Sequence, residues 1–253
     1  TNSDFPEDMC KHVRDPQIIK KGNHYYMILG ARDLSDKGSV VVFKSDDLYH
    51  WKYELRFTTQ DVFGYMWECP NYVEIDGKQF LIVCPQGIKQ NGLDYANAHQ
   101  CGYFPLNCKF EDKTYQLGEF CQLDRGFDFY APQVFKDHKG RNILIGWMGM
   151  PESDYNNDKT VKNGWQHALS LPRELYVTEE GKLAQKPLEE LKKLRTNEKK
   201  MEFNNELSVS TSIWFEIHVD FEVSRDFVLK LRESAELRYE EGILTLDITS
   251  CGS

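Results

Sequence analysis

Long apolar runs are the first thing missing from this 253-residue sequence. Its strongest apolar stretches, "GSVVVF" from Gly38 and "FLIVC" from Phe80, are strand-length and fall far short of the ~20 residues a membrane-spanning helix needs. Concentrated positive charge is missing too. Lys and Arg number 31 against 40 Asp and Glu, a net charge of −9, and the one basic cluster, "LKKLR" with "EKK" behind it, is interleaved with acids. Without a basic face to hold phosphates, nucleic acid is excluded as a partner, and no membrane contact is expected either. Metal-binding patterns are absent as well: the seven histidines include no pair at helical ligand spacing, and the acids Asp33, Asp36, Asp46 and Asp47 form no calcium loop. No metal and no cofactor are expected. Seven cysteines at irregular spacing make neither a zinc motif nor an even disulfide set, and no Asn-x-Ser/Thr site occurs, so the expected setting is a reducing cytoplasm.

What the sequence does have is a repeat. "RDPQIIKKGNHYYMILGAR", "ECPNYVEIDGKQFLIVCPQ" and "YAPQVFKDHKGRNILIGWMG" share one plan: a proline (Pro16, Pro70, Pro132), an amide (Gln17, Asn71, Gln133), a β-rich stretch, a glycine turn (Gly22, Gly77, Gly140) and a second apolar strand. A further pair of strands is readable after each, around the turns at Ser45–Asp47, Glu111–Lys113 and Glu179–Gly181. Four short strands per unit of fifty to sixty residues is the pattern of a propeller blade. Three blades do not close a ring, which takes about four to eight, so further blades are expected from outside this sequence. The predicted organisation is three blades over residues 1–187, a helical connector over 188–200 built on "PLEELKKLR", and the start of a β-sandwich over 201–253, where "ELSVSTSIWFEIHVDFEV" and the segments after it alternate with period two.

The innermost strand of a blade lines the central channel, so acids at its leading end converge on one mouth. Asp15 and Glu68 lie there. Two carboxylates facing one hollow suit glycoside hydrolysis, and Tyr65, Trp67, Phe129, Tyr130, Trp147 and Trp165 are aromatics suited to sugar rings. In strict repeat alignment, however, Glu68 falls opposite Arg14 and Asp15 opposite Cys69, and adjacent strand residues face opposite sides. A bulge at the start of one blade would reconcile them.

The "RDP" at Arg14, the "WECP" at Trp67, the "FDFYAPQ" at Phe127, the "ILIGWM" at Ile143 and the "GW…LSLPREL" from Gly164 together resemble glycoside hydrolase family 32, over residues 12–176. The resemblance implies an all-β fold, a five-bladed propeller followed by a β-sandwich, and cleavage of β-fructosides such as sucrose or sucrose 6-phosphate with retention. It implies Glu68 as general acid/base and Asp15 as transition-state stabiliser, with Arg14, Asp128, Tyr130 and Trp165 at the sugar. The family's nucleophile, an Asp in an "NDP" motif, has no counterpart here; on this reading the 253 residues alone are inactive. Rival readings are a fructosyltransferase on the same apparatus and a non-catalytic sugar-binding propeller. The blander alternatives are a salt-bridge role for Arg14, a structural acid at Asp128, a core position for Trp147 and simple burial for Cys69.

Overall fold

The computed structural model describes residues 4–154, 156–202, 206–211, 215–222, 225–232 and 234–251. Each repeat folds into an antiparallel meander of four strands in sequence order. The first sheet comprises β1 (Met9–Lys21), β2 (His24–Asp33), β3 (Gly38–Ser45) and β4 (Lys52–Phe57). The second comprises β5 (Met66–Ile75), β6 (Lys78–Gln86), β7 (Gly102–Lys109) and β8 (Thr114–Leu117), with a short β9 (Cys121–Gln122) also on β7. The third comprises β10 (Tyr130–Lys136), β11 (Asn142–Trp147), β12 (Arg173–Val177) and β13 (Leu183–Pro187). The first hairpin of every sheet turns on the repeat's glycine, with φ of 57° at Gly22, 74° at Gly77 and 79° at Gly140. Only glycine takes that left-handed backbone without steric cost, which is why the turns fall where they do.

Alternation along the strands sends side chains into two different cores. Tyr26, Ile28, Val40, Val42 and Phe57 of the first sheet pack with Trp67, Leu81 and Phe104 of the second. From the other face of the second sheet, Val73, Phe80, Ile82 and Cys84 pack with Leu144 and Leu175 of the third. The central strands are therefore buried on both faces and read as unbroken apolar runs, β3 most of all. Burying each large side chain contributes about 1.5–3 kcal/mol, so these two seams dominate the stability of the region. Between β11 and β12 lies a short helix, α1 (Asp158–Lys162).

The chain divides into two compact units, residues 1–192 and 193–253. A short 3-10 helix, Glu189–Leu194, spans that division, within the 188–200 segment expected as a helical connector. In the second unit, β14 (Phe227–Leu231), β15 (Ala235–Glu240) and β16 (Ile243–Asp247) form an antiparallel meander. The alternating stretch before it behaves differently from its pattern. Described residues 206–211 and 215–222 form no strand. Period-two alternation prepares a face, but a strand exists only when a neighbour's backbone completes the ladder, and among the described residues nothing pairs with this stretch.

Candidate active site

The leading end of each inner strand carries the same backbone irregularity. Ladder register shifts between Arg14 and Gln17 in β1, between Glu68 and Asn71 in β5, and between Tyr130 and Gln133 in β10. Asp15, Cys69 and Ala131, each directly before the repeat's proline, are left-handed, with φ of 61°, 48° and 48°. A proline has no N–H to give the ladder, and it bars the preceding residue from the right-handed helical region, so the chain bulges here. Each non-glycine residue held this way costs about 1–3 kcal/mol, which the surrounding packing must offset. A bulge in one blade was the expected way to reconcile the alignment; all three sheets have a register shift there.

The three bulges bring the preceding side chains together. Arg14 donates to Glu68 Oε1 from Nε at 2.8 Å and from Nη2 at 2.6 Å. The Tyr130 hydroxyl donates to Glu68 Oε2 at 2.7 Å, and Gln86 Nε2 donates to the same oxygen at 2.8 Å. One carboxyl is thus gripped from three sheets. The Glu68 side chain keeps only 14% of its exposure, while Arg14 beside it keeps 38%, so the cluster opens to solvent on the arginine side. Asp15 reaches the same place by another route: its Oδ2 accepts the Cys69 backbone N–H at 3.0 Å, with the Cys69 thiol 3.6 Å from the same oxygen. The two candidate acids therefore sit on neighbouring strands about the Glu68–Cys69 peptide.

Burial, and secondarily the negative charges around it, pushes the Tyr130 phenol far above its ordinary range, so it stays a hydrogen-bond donor to Glu68. The thiols beside the site are held protonated as well. Hydrogen bonding to Cys84 and then burial raise Cys69, and burial raises Cys84. Neither is a thiolate, and neither is a nucleophile.

Trp67 does not belong with these groups, although it adjoins Glu68 in sequence. It is fully buried, its Nε1–H donates to Phe63 O at 2.6 Å, and its ring stacks on Phe104 at 5.0 Å. The expectation that it serves a sugar ring is corrected: alternation sends it into the core between the first two sheets. Gly30 of β2, the ladder partner of Arg14, makes room for it. A Cβ there would come within 2.2 Å of Trp67 O. Phe129 is likewise buried, with the Arg173 guanidinium 4.5 Å over its ring. Tyr65 stands at the rim under the Arg32 guanidinium, 4.9 Å away.

Of the remaining sequence candidates, Asp128 is half-buried two residues ahead of Tyr130. Trp165 is 55% exposed just beyond α1, its N–H donating to Thr160 O at 3.1 Å, and it takes no part in the hydrogen-bonded cluster. Two residues of the cluster escaped the sequence reading. Gln86 was legible in principle: Glu68 pairs with Cys84 across the hairpin, and the residue two further along shares that face. His12, two residues before Arg14, accepts from Arg14 Nη1 through Nδ1 at 3.1 Å. An open depression of about 370 Å³ lined by Tyr95, Tyr103, Phe120, Arg125 and Lys182 contains none of the candidate residues.

Residues 2–187 match the model of the glycosyl hydrolases family 32 N-terminal domain. The chain belongs to glycosyl hydrolase family 32. Its relatives in that family include the sucrose-6-phosphate hydrolase of Bacillus subtilis (strain 168), 38% identical over 259 aligned positions covering 96% of this chain and 53% of the relative. A sucrose-6-phosphate hydrolase of Staphylococcus xylosus is 36% identical, covering 98% of this chain and 52% of that protein. This family 32 chain thus spans about half the length of the curated relatives it matches. Among solved structures, the sucrose-6-phosphate hydrolase of Lactobacillus gasseri superposes with a TM-score of 0.67 at 33% identity, over 76% of this chain and 40% of that one. The Bombyx mori β-fructofuranosidase gives 0.66 at 33% identity, over 73% of this chain and 39% of that one.

Proposed function

We propose that the first unit is part of a retaining β-fructofuranosidase that hydrolyses sucrose or sucrose 6-phosphate, with Glu68 as general acid/base and Asp15 as transition-state stabiliser. The observation that carries this reading is the single carboxyl of Glu68 held by donors from three sheets, Arg14, Gln86 and Tyr130, at the open leading end of the inner strands. Such a grip fixes the carboxyl group in one orientation. Glu68 gives its proton to the glycosidic oxygen as the bond to fructose breaks, then takes one from the water that releases fructose. Asp15, fixed on the Cys69 amide, accepts fructose hydroxyls, and its charge favours the oxocarbenium-like transition state. Asp128 and the exposed ring of Trp165 supply further sugar contacts. The nucleophile is a carboxylate outside these residues, about 5–5.5 Å from Glu68, in a ring of five sheets. The free thiols fit a cytoplasmic setting.

The test expresses the chain joined in one polypeptide to the remaining length of the family fold and assays both sugars. Glu68→Gln should lower kcat about a hundred- to ten-thousand-fold, the usual worth of a general acid, without loss of folding. The phosphorylated and plain sugars distinguish the substrates, and product analysis at high sucrose separates hydrolysis from transfer. Wild-type turnover by Glu68→Gln would refute the acid/base role.

A further inference from the structure

Next to the two donors that hold Glu68 Oε2, a buried imidazole reaches out to an exposed acid. His99, in the loop between β6 and β7, pairs with Gln86 through an isolated bridge, and Gln86 is one of those donors. Glu152 follows β11, whose last residue, Trp147, pairs with Tyr130, the other donor. His99 Nε2 lies 3.2 Å from Glu152 Oε2, and with an acid opposite, Nε2 carries the proton. The His99 ring stands 6.3 Å from that of Tyr130 and 6.5 Å, edge-on, from that of Tyr65. Burial, and next the Glu152 carboxylate, raise the Tyr65 phenol, and the Glu68 charge acts on it in the same direction. Glu152 therefore stands on the rim beside Glu68.

Stability does not account for this pair. The His99 side chain keeps 5% of its exposure and that of Glu152 73%, and an ion pair with so exposed a partner contributes little. Nδ1 of the same imidazole is buried with no hydrogen-bond partner among the described residues. Glu152 itself sits in a turn at φ 57°, a left-handed backbone that costs a non-glycine residue energy. The arrangement gives up stability to hold one carboxylate oxygen in place. The other, Oε1, has no hydrogen-bond partner among the described residues, which leaves it available as an acceptor.

We propose that Glu152 recognises the hydroxyls of the leaving sugar, and that His99, which holds it from behind, is its positioning residue. This rests on the proposed function, in which Asp15 of the first sheet takes the fructose hydroxyls and Glu68 of the second the bridging oxygen. The carboxylate of the third sheet then meets the sugar beyond that oxygen. An ionised carboxylate accepts hydrogen bonds and donates none, which suits sugar hydroxyls, and such bonds are stronger than neutral ones. Holding it in place beforehand lowers the cost of ordering it on binding.

The test uses the chain joined to the remaining length of the family fold and compares two fructosides. One is the natural sugar it cleaves, sucrose or sucrose 6-phosphate; the other is methyl β-D-fructofuranoside, whose leaving group offers no hydroxyl beyond the bridging oxygen. With Glu152→Ala the ratio of kcat/KM, natural sugar over methyl fructoside, should fall about ten- to a hundredfold. His99→Phe should lower the same ratio less, and His99→Gln, which keeps a donor, should restore most of it. Once residue 152 is alanine, His99→Phe should not change the ratio further. A lost fold lowers both activities together and leaves the ratio alone, so the ratio reads recognition. An unchanged ratio with Glu152→Ala, in a protein that Glu68→Gln inactivates, would overturn this inference and leave the proposed function standing. A ratio that falls with Glu152→Ala but not with His99→Phe would overturn the positioning role. A wild-type protein that cleaves neither fructoside would overturn the proposed function and this inference with it.

Discussion

Two positions on the same inner strand behave in opposite ways across the three sheets. At the leading end, ahead of the bulge, the side chains differ completely: Arg14, Glu68 and Tyr130 share a backbone geometry and nothing else, and they converge on one carboxyl. Three residues later, Gln17, Asn71 and Gln133 are nearly the same chemically, and the first two tie each sheet to the next. A repeated backbone therefore places a chemical site at its mouth and a structural lock just beneath it. Variation is free only where side chains meet across the axis, because the lock must answer the same backbone in every sheet.

The lock should fail in graded order. Asn71 is fully buried and serves two donors' and one acceptor's worth of bonding, including Cys69 O within its own bulge. Asn71→Ala should cost about 2–3 kcal/mol in chemical denaturation, because it strands backbone groups of two sheets. At the mouth, Tyr130 gives the next largest effect, seen in pH rather than by truncation. Its phenol is raised above the ordinary value of 10.0 by burial. The folded state keeps the proton where the unfolded state loses it, so the stabilisation is complete below pH 10 and declines as pH rises above it. The slope is about 1.4 kcal/mol per pH unit for this one group. Tyr130→Phe should remove that share of the alkaline slope, with the remainder left to other raised phenols such as Tyr103, pushed up to about 12. Gln17→Ala, with a single bond lost from a half-buried side chain, should cost about 1 kcal/mol. Gln133→Ala, at an exposed side chain, should fall within about 0.5 kcal/mol of wild type. Equal costs at 71, 17 and 133 would erase the distinction between tied and untied amides.

Much of this was legible in the sequence. The hairpins turn on Gly22, Gly77 and Gly140 as the repeat requires, and the strand pairs around the later turns followed from the same spacing. Asp15, Glu68, Arg14 and Tyr130 were named from their motifs, and the structure brings them together. The faces of the residues at the bulge were not legible. Period two assigns faces only while the register holds, and a bulge resets it; that is why Arg14 and Asp15 both reach the second sheet's bulge. Trp67 was misread for a different reason: it lies ahead of the bulge, where plain alternation beside Glu68 sends it into the core. Gln86 closes the second repeat and shares a face with Glu68 through the Glu68–Cys84 pairing, so it was legible from the register rather than from a motif. The described residues 206–211 and 215–222 show the converse, an alternation without, among the described residues, the partner that would make it a strand.

The most direct test is a crystal structure of the Glu68→Gln protein, joined to the rest of the family fold, with sucrose bound. The side chain at position 68 should lie about 2.6–3.2 Å from the oxygen bridging the two sugars, with Asp15 on the fructose hydroxyls. Sucrose seated away from the Arg14–Glu68–Tyr130 cluster, or with its bridging oxygen out of reach of position 68, would contradict the account.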